Sequence, residues 1–462
     1  MNNEEYIRLH REEDVRQLAL RKAPEGVDRQ WCLQQIEGWQ LARRKLPRWA
    51  ATEGVWFPVR LSMEQCSSEA TAMYKRTVVE RLTTEDHRLA MADLTGGLGV
   101  DFSYMAPLFR HCTYVELQPQ LVELARHNMP LLGLPHAEIT MPDQSSDSSL
   151  FILPSSFPQS TDSSLFILHS SFPHFSILYI DPSRRDAAGR KTTSIEECTP
   201  NLIDLQDELL QHTSWLIAKF SPMLDIREAL RKLRCVREVH VVSVGGECKE
   251  LLFVMEGSPE TATGENASPC PSAPRTGEME QVVIHCVNLG TDEDELTTPL
   301  GTPIKNEANP PLTWLDEAEG TFLYEPNASI LKAGVSDVLS ERYPLRKLHP
   351  MSHLFVGDTP LPHFPGRRFR IVDWSDFGKQ NLRHFIDRMY QDSHPGDGDK
   401  PMTSSAQSGG RKRLKANLAV RNFPTSVAVL RRQLRLDEGG EAYLFATTLG
   451  NGQHVLIRCR KV

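Results

Sequence analysis

Between residues 89 and 257, short apolar runs alternate with longer mixed stretches. Leu89–Leu94, Cys112–Glu116, Ser176–Ile180, Leu216–Phe220, Glu238–Val244 and Leu251–Met255 have the length and content of strands. Gln118–Leu132 and Ile203–Gln211 lie between such runs and read as helices. Strands alternating with helices predict an α/β fold with a doubly wound parallel sheet. The last two runs are joined by Gly245-Gly246-Glu247, which predicts an antiparallel hairpin at the end of that sheet.

The pattern changes on both sides of this unit. Residues 1–88 read as a helical region, with mixed charged and apolar residues through Tyr6–Leu46. A helix over 61–88 carries the apolar stripe Met73, Val78, Val79 and Leu82, with Ser67 or Ser68 as its cap. Residues 258–281, rich in Pro, Ser, Thr, Gly and Glu, read as a linker. Residues 282–375 form a second domain, with strands at Val282–Leu289, Phe322–Tyr324 and Phe369–Asp373 and a helix at Ala328–Ser340. Within residues 376–462, Asp392–Gly410 reads as a flexible stretch, and a last module follows it. It has a strand at Leu418–Arg421, a helix at Thr425–Leu434, and strands Ala442–Thr447 and His454–Arg460 about a Gly450-Asn451-Gly452 turn. One segment breaks the alternation: residues 147–161 are repeated almost unchanged at 162–176. Two copies are too few for a solenoid, so 147–176 reads as a tolerated loop insertion.

Composition narrows the classes. A formal net charge of -8 argues against a basic surface throughout, so any nucleic-acid contact must use local patches. Arg43, Arg44, Lys45 and Arg48 form one such cluster, readable as a solvated helix face or a phosphate contact. Arg411, Lys412, Arg413 and Lys415 form another, and Arg431, Arg432 and Arg435 a third. The nine cysteines show none of the short gaps of a metal site, and no H-E-x-x-H occurs, so no metal is expected. The opening MNNEEYIRLHREED has no apolar signal region, and no run has the length of a membrane span, so the cytoplasm is the expected location.

The candidate chemistry gathers around Asp93-Leu94-Thr95-Gly96-Gly97-Leu98-Gly99, which follows the strand Leu89–Leu94. Glycines let the backbone turn sharply and approach a ligand closely. Such a loop suits a nucleoside-containing cofactor at the carboxyl end of a parallel sheet. It lacks the Lys and hydroxyl pair of a phosphate loop. Glu116 ends the next strand, where an acid can accept hydrogen bonds from both ribose hydroxyls. Asp143, after a third strand near Ile139, is a candidate for the exocyclic amine of adenine. Ile180-Asp181-Pro182-Ser183-Arg184-Arg185 ends another strand on the same sheet edge. Asp181 there can accept a hydrogen bond from a substrate amine or act as a base, and Arg184 offers a phosphate or carboxylate contact. Lys75, in the polar segment before the loop, is a candidate for holding an anionic substrate group. Lys219-Phe220-Ser221-Pro222 ends a further strand and could border the same cleft. Cys66 has no activating group beside it in sequence, and capping or packing suits it as well as chemistry.

The acid–glycine–acid arrangement resembles the class I S-adenosylmethionine-dependent methyltransferases. The resemblance implies S-adenosylmethionine as cofactor, with Asp93, Thr95, Gly96, Gly97, Gly99 and Glu116 around it and Asp143 as a further contact. A hairpin closing a parallel sheet also suits that fold better than a dinucleotide dehydrogenase. The segment 180–185 resembles the [D/N]-P-P-x motif of amino-methylating and RNA-base methyltransferases. Ser183 replaces the second proline and no aromatic residue follows, which argues against N6-adenine chemistry. Together with QCSSE at 65–69, YEPN at 324–327, KLHP at 347–350 and AVRNFP at 419–424, these motifs resemble a bacterial family of class I methyltransferases. Its members carry a ferredoxin-like middle domain and a THUMP-like C-terminal domain, which the resemblance assigns to 282–375 and 376–462. It implies RNA methylation, with tRNA or rRNA as partner rather than DNA or a membrane. A small-molecule or protein acceptor stays open, as does a non-catalytic RNA-binding protein with a vestigial cofactor site. The acceptor atom and the oligomeric state are not set by the sequence.

Overall fold

The computed structural model describes residues 1–84, 89–142, 174–183, 194–257, 281–290, 294–301, 321–393 and 413–462. Asp143, Arg184, Arg185, Arg411, Lys412, residues 147–173 of the duplication and residues 258–280 of the linker lie outside them. The chain divides into two units. The first comprises Met1–Val244, Lys249–His285 and Leu289–Thr291, and the second Gly245–Cys248, Cys286–Asn288 and Asp292–Val462.

The first unit opens with helices α1 (Asn3–His10), α2 (Val15–Leu18), α3 (Arg29–Lys45), α4 (Pro47–Ala51), α5 (Arg60–Gln65) and α6 (Glu69–Leu82). Asn2, Asp14, Asp28 and Ser68 cap α1, α2, α3 and α6 by accepting backbone N–H bonds. The single helix expected over 61–88 is two. Cys66 and Ser68 have extended backbone, and Ser68 Oγ accepts from Thr71 N at 3.3 Å, which ends α5 and starts α6. Gln35 braces the helices from within, its amide accepting from Phe57 N at 2.7 Å and donating to Phe57 O at 3.0 Å.

The alternating region follows as β1 (Ala90–Asp93), α7 (Val100–Met105), β2 (His111–Val115), α8 (Pro119–Leu131), β3 (Glu138–Thr140), β4 (Phe175–Ile180), α9 (Leu202–Gln211), β5 (Thr213–Phe220), α10 (Ile226–Lys232), β6 (Val236–Val244), β7 (Glu247–Glu256) and β8 (Val283–Leu289). These strands are ordered β3-β2-β1-β4-β5-β7-β6-β8. The pairs β2–β3, β1–β2, β1–β4 and β4–β5 are parallel, and β7 runs antiparallel to β5. Chain order reverses between β1 and β4. At such a switch point the loops leaving two adjacent strands diverge and leave a crevice at their carboxyl ends. Every residue of β1 and β4 is buried, as strands covered on both faces require. Trp49, Phe57 and Met63 of the N-terminal helices share a core with Phe102, Met105, Tyr114, Ile177 and Tyr179. The helical region is therefore part of the sheet's packing.

The second unit contains β9 (Asp294–Pro299), β10 (Phe322–Pro326), α11 (Ala328–Ala333), α12 (Val338–Arg342), β11 (Arg346–Lys347), β12 (Phe355–Gly357), β13 (Gly366–Asp376), α13 (Lys379–Ser393), β14 (Leu414–Lys415), β15 (Asn417–Arg421), α14 (Val427–Gln433), β16 (Leu436–Asp437), β17 (Ala442–Thr448) and β18 (His454–Lys461). One sheet, β11-β12-β10-β13-β18-β17-β15, joins both C-terminal segments. The helix expected over Ala328–Ser340 is broken by Gly334, whose φ of +71° ends α11. Three of the quoted motifs meet here. Glu325 of YEPN is buried and pairs with Arg367 and with Arg421 of AVRNFP. Asn422 Nδ2 donates to His349 Nδ1 of KLHP at 2.9 Å. Among the described residues no helix is long and apolar enough to cross a membrane.

Candidate active site

The loop after β1 is shaped by what its glycines permit. A Cβ on Gly96 would lie 2.1 Å from the Tyr114 ring, so only glycine fits against β2. Gly99 has φ +81°, which lets the chain turn into α7, and a Cβ there would lie 2.3 Å from Met129. Gly97, with φ +57°, differs. Among the described residues its open side meets only Thr95 O, at 3.7 Å, so a ligand can approach the backbone there. Backbone bonds from Leu94 N to Tyr179 O (2.9 Å) and Gly96 N to Val115 O (2.8 Å) moor the loop to both neighbouring strands.

Three acids converge on it. Asp93 Oδ1 accepts from Thr95 N at 2.9 Å, and burial raises its pKa well above the usual carboxylate range. Glu116 accepts from Gly97 N through one oxygen and from Gln118 N through the other, each at 2.8 Å. A carboxylate oxygen offers two lone-pair sites, so each Glu116 oxygen keeps one for a ligand. Asp181 is tied to the loop through its backbone, its N–H donating to Thr95 Oγ1 at 2.6 Å. Its carboxylate pairs with Lys219 Nζ at 2.6 Å, with side chains 37 % and 12 % exposed respectively. Burial alone would lower the Lys219 pKa; Asp181, Asp101 and Glu250 outweigh it and raise it. Of the expected site residues, Asp93, Thr95, Gly96, Gly97, Gly99, Glu116 and Asp181 are thus gathered at one edge. Asp143 and Arg184 lie outside the described residues.

Lys75 is a correction. Its side chain is 0 % exposed, with Nζ 3.0 Å from Asp101 Oδ1 and 2.6 Å from Glu250 Oε1. An ammonium enclosed by two buried acids cannot hold a substrate anion. It belongs to a cluster that also includes Ser67 and Tyr179, whose hydroxyls donate to Asp101 Oδ2 at 2.7 and 2.8 Å. Burial pushes Asp101 up, but Lys75, Lys219 and the hydrogen bonds hold it below its ordinary pKa. Sequence reasoning missed this cluster. The one signal available was an isolated acid, Glu250, against the apolar run of β7. Cys66 donates to Met63 O, and burial raises its pKa, which disfavours the nucleophilic thiolate. The Arg43–Arg48 cluster is largely engaged within its own unit. Arg43 pairs with Glu12, Lys45 donates to Met63 O and Glu64 O, and Arg48 donates to Leu132 O.

A protein from Porphyromonas gingivalis W83, named as a methyltransferase, has a solved structure similar to this one over the whole chain. The two share 29 % identity, with 100 % of this chain and 97 % of that one covered and a TM-score of 0.75. The chain has the fold of the class I S-adenosylmethionine-dependent methyltransferases. A ferredoxin-like domain model matches residues 322–365, and a THUMP domain-like model matches 405–461. Two other solved structures are similar over part of the chain. One is an O-methyltransferase from Bacillus cereus in complex with SAH, at 11 % identity and TM-score 0.31, covering 48 % of this chain and 98 % of that one. The other is a type I restriction-modification methyltransferase subunit from Streptococcus thermophilus, at 13 % and 0.30, covering 48 % and 47 %. No curated protein sequence matches the chain.

S-adenosylmethionine is the cofactor of this methyltransferase fold, and the loop has the chemistry for it. Gly97 leaves its backbone open, and Glu116 keeps acceptor sites beside it where two vicinal hydroxyls can donate. The Asp181 carboxylate stands at the end of the strand next to β1, within reach of the same crevice.

Proposed function

We propose that this methyltransferase transfers the methyl group of S-adenosylmethionine to RNA. The observation that carries the reading is the meeting of an open glycine, a ribose-competent acid and a partly exposed carboxylate at the β1/β4 switch point. Asp93, Thr95, Gly96, Gly97, Gly99 and Glu116 hold the cofactor, with Asp143 assigned to its adenine. When bound, the sulfonium supplies an electrophilic methyl group. Asp181 accepts a hydrogen bond from the acceptor's N–H or O–H, orients its lone pair and takes up the proton that methylation releases. Lys219 holds Asp181 Oδ2 in place, which leaves Oδ1 for the acceptor. Arg184 is assigned to a phosphate or carboxylate of the substrate.

The RNA part of the proposal rests on the THUMP-like match at 405–461, because THUMP domains are RNA-binding modules of modification enzymes. Lys415, Arg432 and Arg435 are exposed in that segment and supply cations for backbone phosphates. The cytoplasm is the proposed location, and tRNA or rRNA the proposed partner. Calorimetry with S-adenosylmethionine tests the cofactor site, and absence of binding by folded protein overturns it. Labelled-methyl transfer into separated RNA, protein and metabolite fractions tests the acceptor, and label outside the RNA fraction overturns that part.

A further inference from the structure

We propose that Glu238, His240 and His285 form a binding site for one divalent transition ion of the zinc class. Glu238 and His240 stand two residues apart on β6 and so face the same side of the sheet. His285 reaches them from β8, the neighbouring strand. His240 Nε2 lies 3.0 Å and His285 Nε2 3.8 Å from the same oxygen, Glu238 Oε2. The three ligand atoms lie within 4.8 Å of one another. In a tetrahedral site with ligands at about 2.1 Å, ligand atoms are about 3.4 Å apart. The observed spacings straddle that value, so small side-chain rotations complete the site.

The surroundings are those of a metal centre rather than a solvated cluster. His240 is buried, and its Nδ1 is 2.7 Å from Tyr74 Oη of α6. If Nδ1–H donates to Tyr74, the Nε2 lone pair points at a carboxylate oxygen, an arrangement that a cation between them resolves. The rings of His240 and His285 are stacked at 4.4 Å, 7° from parallel, and the distances to Glu238 Oε2 place both Nε2 atoms on its side. Arg81 donates to both oxygens of Glu238. Each oxygen keeps a second lone pair, so Arg81 acts as an outer partner that fixes the carboxylate. Two imidazoles and a carboxylate select zinc-class ions over magnesium or calcium. No short-gap motif marks the site, because its third ligand lies on another strand, 45 residues after His240.

The test uses the full chain after chelator treatment. Zn²⁺ is titrated by calorimetry, and Co²⁺ by absorption. The expected result is one ion per chain, with visible Co²⁺ bands and no thiolate charge-transfer band. Zn²⁺ should raise the melting temperature of the wild type but not of His285→Ala. That variant should lose more than about 100-fold in affinity, and Tyr74→Phe about 10- to 100-fold. His285→Ala is the main probe because His240, the more buried ligand, is at greater risk in folding; circular dichroism verifies its fold. No Zn²⁺ binding by folded wild type, unchanged affinity in folded His285→Ala, or a thiolate band with Co²⁺ would each overturn the proposal. None of these readouts depends on methyl transfer.

Discussion

Two lysine–acid clusters lie close to the cofactor loop, and they differ in what they leave open. Lys75, Asp101 and Glu250, with Ser67 and Tyr179, form a closed set behind the loop, and Lys75 is wholly enclosed. Lys219 and Asp181 form an open pair at the sheet edge, with a third of the Asp181 side chain exposed. The residue types are the same. Removing charges from water costs several kcal/mol per ion unless partners compensate, so the closed set has no spare valence for a substrate. The open pair compensates one Asp181 oxygen, and the proposed reaction uses the other. Burial, more than residue identity, separates scaffold from the proposed chemistry here.

The sharpest way to break this comparison is Asp181→Ala. It should cut kcat by about 10²- to 10⁴-fold and leave S-adenosylmethionine affinity unchanged, as read by turnover and calorimetry. Equal turnover would remove Asp181 from the mechanism. Lys75→Met should do the reverse. It strands two buried acids, which costs about 3–5 kcal/mol. In a thermal melt that is a loss of about 6–20 °C, with cofactor affinity unchanged below the transition. A Lys75→Met variant with normal stability and impaired substrate binding would erase the distinction. Glu116→Ala, at the same edge, should weaken cofactor binding by about 10- to 100-fold, the worth of hydrogen bonds to a charged group.

The smallest effect concerns Asp93, which joins both categories, since it is buried yet faces the loop. Burial raises its pKa above the reference value of 3.8. Its contribution to stability is therefore fully present below that value and is lost as pH rises through the folded pKa. Asp93→Asn keeps an acceptor for Thr95 N without that loss. Its melting temperature, measured against wild type from pH 4 to 8, should gain steadily by a few degrees as pH rises. A flat difference would mean that the carboxyl is not destabilised by burial.

Much of this was legible in order along the chain. The runs that predict strands overlap β1, β2, β4, β5, β6 and β7, differing by up to a few residues at each end, because buried strands are nearly continuous apolar stretches. Asp93–Gly99 stood out because a turn with a left-handed backbone needs glycine whatever surrounds it. Helix breaks were less visible. The break between α5 and α6 depends on Ser68 capping, and Ser67 offered an equally good cap in sequence. Helix α13 went unread because its stripe rests on Phe385 and Met389 in an otherwise polar stretch.

By itself, the sequence determined the alternation of strands and helices, the glycine loop and the acids that end successive strands. These are local properties, set by backbone geometry and by the spacing of apolar residues. Which acids share a lysine, and which acid stays open to solvent, was decided only in three dimensions. Lys75 meets Asp101 and Glu250 because α6, α7 and β7 bring residues far apart in the chain into one water-free volume. The balance between desolvation and pairing in that enclosure makes Lys75 part of the scaffold, while Asp181, a third exposed, stays open for its proposed role.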